Sequence, residues 1–345
     1  MSAVPSTHAL APAGLSAGGA LKHPLFRPLA ALAVLLLIAF FTIPGFFQLT
    51  IKDGHLYGSL IDIINRAAPL MLAAIGMTLV IATRGIDISI GAVVALSGTV
   101  GCLLVGSGTT PEHSLLFAFG AAMAAALLCG LWNGLLVATV GLQPIVATLI
   151  LMVAGRGLAQ LLTDGQIVTV YYEPFFVLGG GYFAGLPFSL TVVGVVFALV
   201  AFLMKKTALG LFIQAVGINP VAARLAGLKT ASLIIFVYVF AAACAGLAGL
   251  MISSNIKSAD ANNAGLLLEL DAILAVTLGG TSLAGGKFSL IGSVIGALII
   301  QTLTYTIYSL GVPPEVNMVV KSIVVFLVCL SQSDEFKQMF ARRPA

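Results

Sequence analysis

Ten apolar runs, separated by short polar or Gly/Pro-rich breaks, occupy most of this chain: Pro28–Phe47, Leu60–Thr83, Ile86–Gly106, Leu115–Val140, Pro144–Leu162, Pro187–Met204, Ala231–Ser254, Leu270–Thr281, Phe288–Leu310 and Val316–Leu330. A helix rising 1.5 Å per residue needs about 20 apolar residues to cross ~30 Å of hydrocarbon. The pattern therefore predicts an all-α polytopic membrane protein with about ten transmembrane helices. The eighth run is too short to cross as a straight helix and is expected to be broken or partly re-entrant. One long interruption, Lys205–Thr230, stays basic and turn-rich between two strongly apolar neighbours.

That interruption contains its own helix signals. Asn219 is a good N-cap, Pro220 suits the first helical position, and Gly227 stands where a left-handed C-cap falls. Between them Val221, Ala222, Leu225 and Ala226 form a small apolar face, with Arg224 pointing elsewhere. So short a helix is unstable alone and needs a surface to dock on. A soluble partner, the membrane surface and a passive loop all remain open on the residues alone.

Composition agrees with the pattern: 60% of residues are hydrophobic and 8% charged, against roughly 25% charged in an average soluble domain. The net charge of +4 reports orientation and not a nucleic-acid partner. With the N-terminus inside, the inner loops and tails collect Lys22, Arg27, Arg84, Lys205, Lys206, Arg224, Lys229, Lys287, Lys337, Arg342 and Arg343, and the outer ones hold only Lys52 and Lys257. The positive-inside rule then puts both termini in the cytoplasm. Residues 1–24 read as a disordered cytoplasmic tail, 25–332 as the transmembrane domain with the loop 205–230 inside it, and 333–345 as a second cytoplasmic tail. The first apolar run is too long for a typical signal-peptide core and reads as an uncleaved helix.

Little of the chain looks catalytic. Cys102, Cys129, Cys244 and Cys329 stand alone in apolar runs, and His8, His23, His55 and His113 fall in the tail or loops, so no metal site, disulfide framework or nucleophilic triad is indicated. The glycine-rich run Gly279–Lys287 fails as a phosphate loop. Counted from Gly280, the lysine position holds Gly286, and Lys287 is followed by Phe288. It is expected to be an inner turn that permits close backbone approach, and ATP is expected to be bound by another chain.

Charges inside or beside apolar runs are the remaining candidates. An ionised carboxylate at mid-bilayer costs about 2.5–3.5 kcal/mol on insertion scales, so Asp87 is expected to cap the third span with support from its dipole and Arg84, or else to line a solute path. Arg66 follows Asp62 by four residues, the spacing of a helical ion pair. Arg156, among small neighbours, and Gln160 one turn on could line an outward cavity. Asp260, Asn262 and Asn263 in an outer loop could meet an arriving solute or a docked protein. Glu269 and Asp271 point to different sides of a helix.

Three blocks carry a family resemblance. Thr207-Ala-Leu-Gly210, Ala215-Val-Gly217-Ile-Asn219 and Ala222-Ala223-Arg-Leu-Ala-Gly227 resemble the cytoplasmic coupling loop of ribose- and galactose-type permeases, the membrane subunits of ATP-binding-cassette importers. Gly85-Ile-Asp-Ile-Ser-Ile-Gly91 is similar to the hallmark GIDLSVG of that family, although Arg84 replaces the first glycine of its usual Gly-Gly pair. Glu269–Leu283 resembles its ELDAI…GGTSL block. The strings IDIINRAAP, GMTLVIATRGIDIS, ATLILMVAGRG and ADANNAGLLLELDAILAV are most similar to galactofuranose-type permeases.

The resemblance implies a transport subunit without catalytic residues or cofactor, in a bacterial inner membrane. It implies a cytoplasmic ATPase, a periplasmic sugar-binding protein, a second permease chain, identical or homologous, and membrane lipid as partners. It places ATPase coupling on Gly217, Asn219, Ala222, Ala223, Arg224 and Gly227. The candidate solute path is Arg156, Gln160, Asn262, Asn263 and Asp87. The competing expectation is an ion-coupled secondary transporter or channel for a small polar solute, which would bind its coupling ion at broken helices near the midplane.

Overall fold

The computed structural model describes residues 25–330, apart from residues 53, 314, 315, 317, 321, 324, 325, 328 and 329. Both expected tails lie outside this set. The described chain is helical: α1 (Phe26–Thr42), α2 (Ser59–Ala82), α3 (Ile90–Val105), α4 (Leu115–Leu135), α5 (Pro144–Leu162), α6 (Phe188–Lys206), α7 (Leu209–Ile218), α8 (Pro220–Leu225), α9 (Thr230–Ile256), α10 (Leu268–Leu278) and α11 (Leu290–Ser309). Short antiparallel pairs tie the connecting loops, among them Val168–Thr169 with Ser258–Ala259. The tenth apolar run is only partly described and is helical at each described position from 316 to 330.

Six helices, α2, α4 with its π-helical extension to Val140, α5, α6, α9 and α11, are long and apolar enough to cross a membrane. The other described runs are shorter than their apolar stretch predicts, for local reasons. The first ends at Thr42 because Pro44 disfavours helix at Ile43 and Gly45 turns with φ +74°. The third starts at Ile90 and not Ile86, because Gly85–Ser89 is irregular. At 16 residues α3 rises ~24 Å, and α10, at 11, rises ~16 Å.

The interior is as apolar as that of a soluble bundle, and it is the surface that is inverted. Helix α9 packs on α2, α3 and α4, while α11 packs on α2 and α10. From Leu70 to Ala82 every residue of α2 is buried. Lipid tails are as apolar as leucine, so close van der Waals packing through small residues holds such helices together. At one such crossing, a side chain on Gly76 would meet the Ala241 Cα at 2.9 Å. The outward faces of α1, α4, α5 and α6 instead expose Phe41, Leu116, Val153, Leu161 and Phe202. In water that surface would be an aggregation hazard; in a bilayer it is the solvated face.

Candidate functional site

The segment 205–230 folds into an elbow at the end of the molecule where α2 and α6 finish and α9 begins. Two helices fill it. The ten-residue apolar helix α7 comes first; the sequence offers no cap signal for it, since Ala208 at its start has no side chain that could cap. Asn219 then caps α8, its side-chain oxygen accepting from the Val221 and Ala222 amides at 3.0 Å each. At the other end Gly227 is left-handed with φ +87°. The Leu228 amide donates to Ala223 and the Gly227 amide to Arg224, both at 3.0 Å, which closes a Schellman motif.

The expected apolar face of α8, Val221, Ala222, Leu225 and Ala226, is exposed. Ala223, by contrast, is turned inward and buried. Val221 and Leu225 stand 68% and 85% exposed, with Ile218 beside them at 60%. Ala222, Arg224 and Ala226 are exposed with them. Val221 and Leu225 lie one turn apart on α8, which gives an unpartnered apolar ridge flanked by Arg224.

The elbow is bolted to the rest of the chain by Arg84. Its Nη2 donates to the Ile218 carbonyl at 2.6 Å, at the negative end of α7, and its Nε donates to Ala284 at 3.0 Å. Residue 84 is left-handed, φ 63°, a conformation glycine adopts freely. That accounts for a glycine at this place in the family pattern, and here the arginine exchanges backbone ease for two charge-assisted bonds. The Gly286 amide donates to the Ala82 carbonyl at 2.9 Å. A Cβ on Gly217 would overlap that same carbonyl and lie 2.6 Å from the Gly286 nitrogen. The ends of α2 and α7 and the 279–287 turn are therefore one packed junction.

Asp87 does not pair with Arg84. It is 1% exposed, and its Oδ1 accepts from the Ser89 amide at 2.9 Å and the Ser89 hydroxyl at 2.6 Å. Ser89, not Asp87, is the N-cap residue of α3. Asn133 of α4 donates to the Ser89 hydroxyl at 2.9 Å, and the Ile88 amide donates to Thr148 of α5 at 3.2 Å. The irregular segment before α3 is thus held by polar groups from two neighbours.

Arg156, Gln160, Asn262 and Asn263 meet at the opposite end. Arg156 Nη1 donates to the carbonyls of Ala261, Asn262 and Ala264 at 3.2, 3.2 and 2.8 Å, and Gln160 donates to the Asn262 side chain at 2.8 Å. Asp260 Oδ1 accepts from the Asn262 and Asn263 amides. Burial pushes the Asp260 carboxyl up, but these bonds, the Asn263 side chain and the nearby Arg156 charge outweigh it and hold the group below the usual carboxylate range. The cluster therefore fastens the loop to α5. Asp87 belongs to a separate place near the elbow. Asp62 and Arg66 do not bridge, and among the described residues neither has an ion pair. Glu269 is buried against the start of α3, whereas Asp271 is half-buried.

Residues 59–329 match the family model described as branched-chain amino acid transport system / permease component. The chain is 51% identical over 308 residues to the galactofuranose transporter permease protein YtfT of Escherichia coli K12, covering 89% of each. It is 38% identical to the fructose import permease protein FruF of Bifidobacterium longum, over 84% of this chain and 82% of the relative. Similarity to the ribose import permease protein RbsC of Escherichia coli K12 is 37%, over 88% of this chain and 92% of the relative.

Proposed function

The chain belongs to this family of permease components, and from that premise we propose that it carries galactofuranose or a similar monosaccharide inward across a bacterial inner membrane. ATP is hydrolysed on a separate cytoplasmic chain, a periplasmic sugar-binding protein delivers the solute, and a second permease completes the path. In this reading the chain crosses the membrane about ten times with both termini cytoplasmic. The observation that carries the substrate is the 51% identity to the galactofuranose permease along 89% of both chains.

The elbow supplies the coupling. ATPase modules closing on ATP press on Val221 and Leu225, and Asn219 and Gly227 keep α8 a rigid knob. Force passes through Gly217 and Arg84 into the end of α2 and the turn before α11. The helices then tilt so that the far end closes while the near end opens. Gentle extraction of the tagged chain from its native membrane, followed by mass spectrometry, tests the assembly: an ATPase should stay bound to the wild type and be lost from Leu225→Asp. Recovery of the chain alone, with uptake abolished by a proton ionophore but not by ATP depletion, would contradict it.

A further inference from the structure

A cavity of about 240 Å³ opens between α2, α6, α9 and α11, at the end away from the elbow. Asn65, Arg66 and Pro69 of α2, Ser189 of α6, Asn255 of α9 and Gln301 of α11 all line it. Its size lies below the ~300–1,000 Å³ of pockets for drug-sized ligands, and suits one small solute.

The polar groups here are largely uncommitted. Ser189 donates to Asn65 Oδ1, and Asn255 Nδ2 donates to the Gly179 carbonyl at 3.0 Å. Among the described residues the Gln301 amide and the Arg66 guanidinium make no bond within the chain. Pro69 has no N–H, which frees the Asn65 carbonyl from its helical donor beside the same cavity. Donors and acceptors without internal partners, beside the apolar walls Met251 and Ile252, match a ligand rich in hydroxyl groups, each of which both donates and accepts, and whose ring presents C–H faces. A monosaccharide has that chemistry.

We infer that this cavity is a sugar-binding site on the translocation route, with Gln301 and Arg66 as its principal hydrogen-bonding groups. The inference rests on the importer reading and replaces the Arg156 cluster, whose side chains are spent on internal bonds that tie the 260–264 loop to α5. Sequence reasoning missed it because Asn65, Arg66, Ser189, Asn255 and Gln301 come from four distant runs.

The test uses saturation-transfer NMR on the full chain in phospholipid nanodiscs, with methyl galactofuranoside as probe and L-leucine as control. The wild type should saturate the sugar protons and not leucine. Gln301→Leu and Arg66→Gln, which remove no internal bond, should each weaken that signal about fivefold to tenfold at unchanged thermal unfolding, and should raise the KM for uptake more than they lower its maximal rate. Absence of signal from the wild type, or wild-type signal in both variants, would overturn the site. So would a tightly bound phospholipid whose phosphorus resonance moves in Arg66→Gln. ATP-driven uptake by the wild type beside undiminished binding in the variants would leave the importer standing without this site, whereas failure of that uptake would remove the importer reading itself.

Discussion

Two glycines of the elbow differ in what a methyl group would meet. Around Gly227 nothing lies within 4 Å, so Gly227→Ala suffers only the left-handed backbone, about 1–2 kcal/mol. Gly217→Ala drives a methyl into the Ala82 carbonyl, and overpacking of that kind costs about 1–3 kcal/mol beyond any backbone effect. Thermal unfolding in nanodiscs should rank Gly217→Ala as the less stable, with uptake lost in parallel; equal melting of the two would refute the packed junction. Asp260 gives a pH prediction. Its folded pKa lies below 3.8, so its contribution is present above that value and is lost as pH falls through the lower, folded one. Amide exchange of residues 260–264 should accelerate on acidification below pH 3.8, and Asp260→Asn should flatten that dependence.

At the scale of elements, α8 was legible in the sequence because caps are local: Asn219, Pro220 and Gly227 act within a turn of their own positions. Its outward face, Val221, Ala222, Leu225 and Ala226, was legible too, but the burial of Ala223 was not, since what covers the inner side of so short a helix is set by packing against the rest of the chain. The same limit applies to Asp87. Its burial demanded a partner, but whether Ser89 or Arg84 supplied it depended on a left-handed residue 84 that turns the arginine toward Ile218. The burial of Ala223 changes the informative variants. Ala223→Asp buries a charge and should unfold the elbow, with rapid proteolysis of the 205–230 segment. Val221→Asp and Leu225→Asp place charges on an exposed ridge and should leave melting within ~0.5 kcal/mol of wild type while abolishing coupled uptake. Arg84→Gly, which suits the backbone but removes both bolts, should insert normally yet transport poorly for each ATP hydrolysed.

For the whole molecule, hydrophobic pattern showed the class and the outer surface, since length and apolarity decide whether a helix can cross. It did not show that the first four residues of Ile86–Gly106 are irregular, because Gly85–Ser89 is held by Asn133 and Thr148, which lie far along the chain. The elbow packed at one end and the polar cavity at the other are joined by α2, α9 and α11. Those helices run from the junction at Arg84 and Thr230 to the cavity at Asn65 and Asn255. Movement at one end therefore has rigid elements through which to reach the other.

The most direct test is sugar uptake into proteoliposomes holding the full chain, its ATPase and its second permease, with binding protein and ATP both supplied on the appropriate sides. Wild type should accumulate sugar only with ATP, and Leu225→Asp should insert and melt as wild type yet accumulate none. Accumulation without ATP, or normal ATP-driven accumulation by Leu225→Asp, would contradict the account.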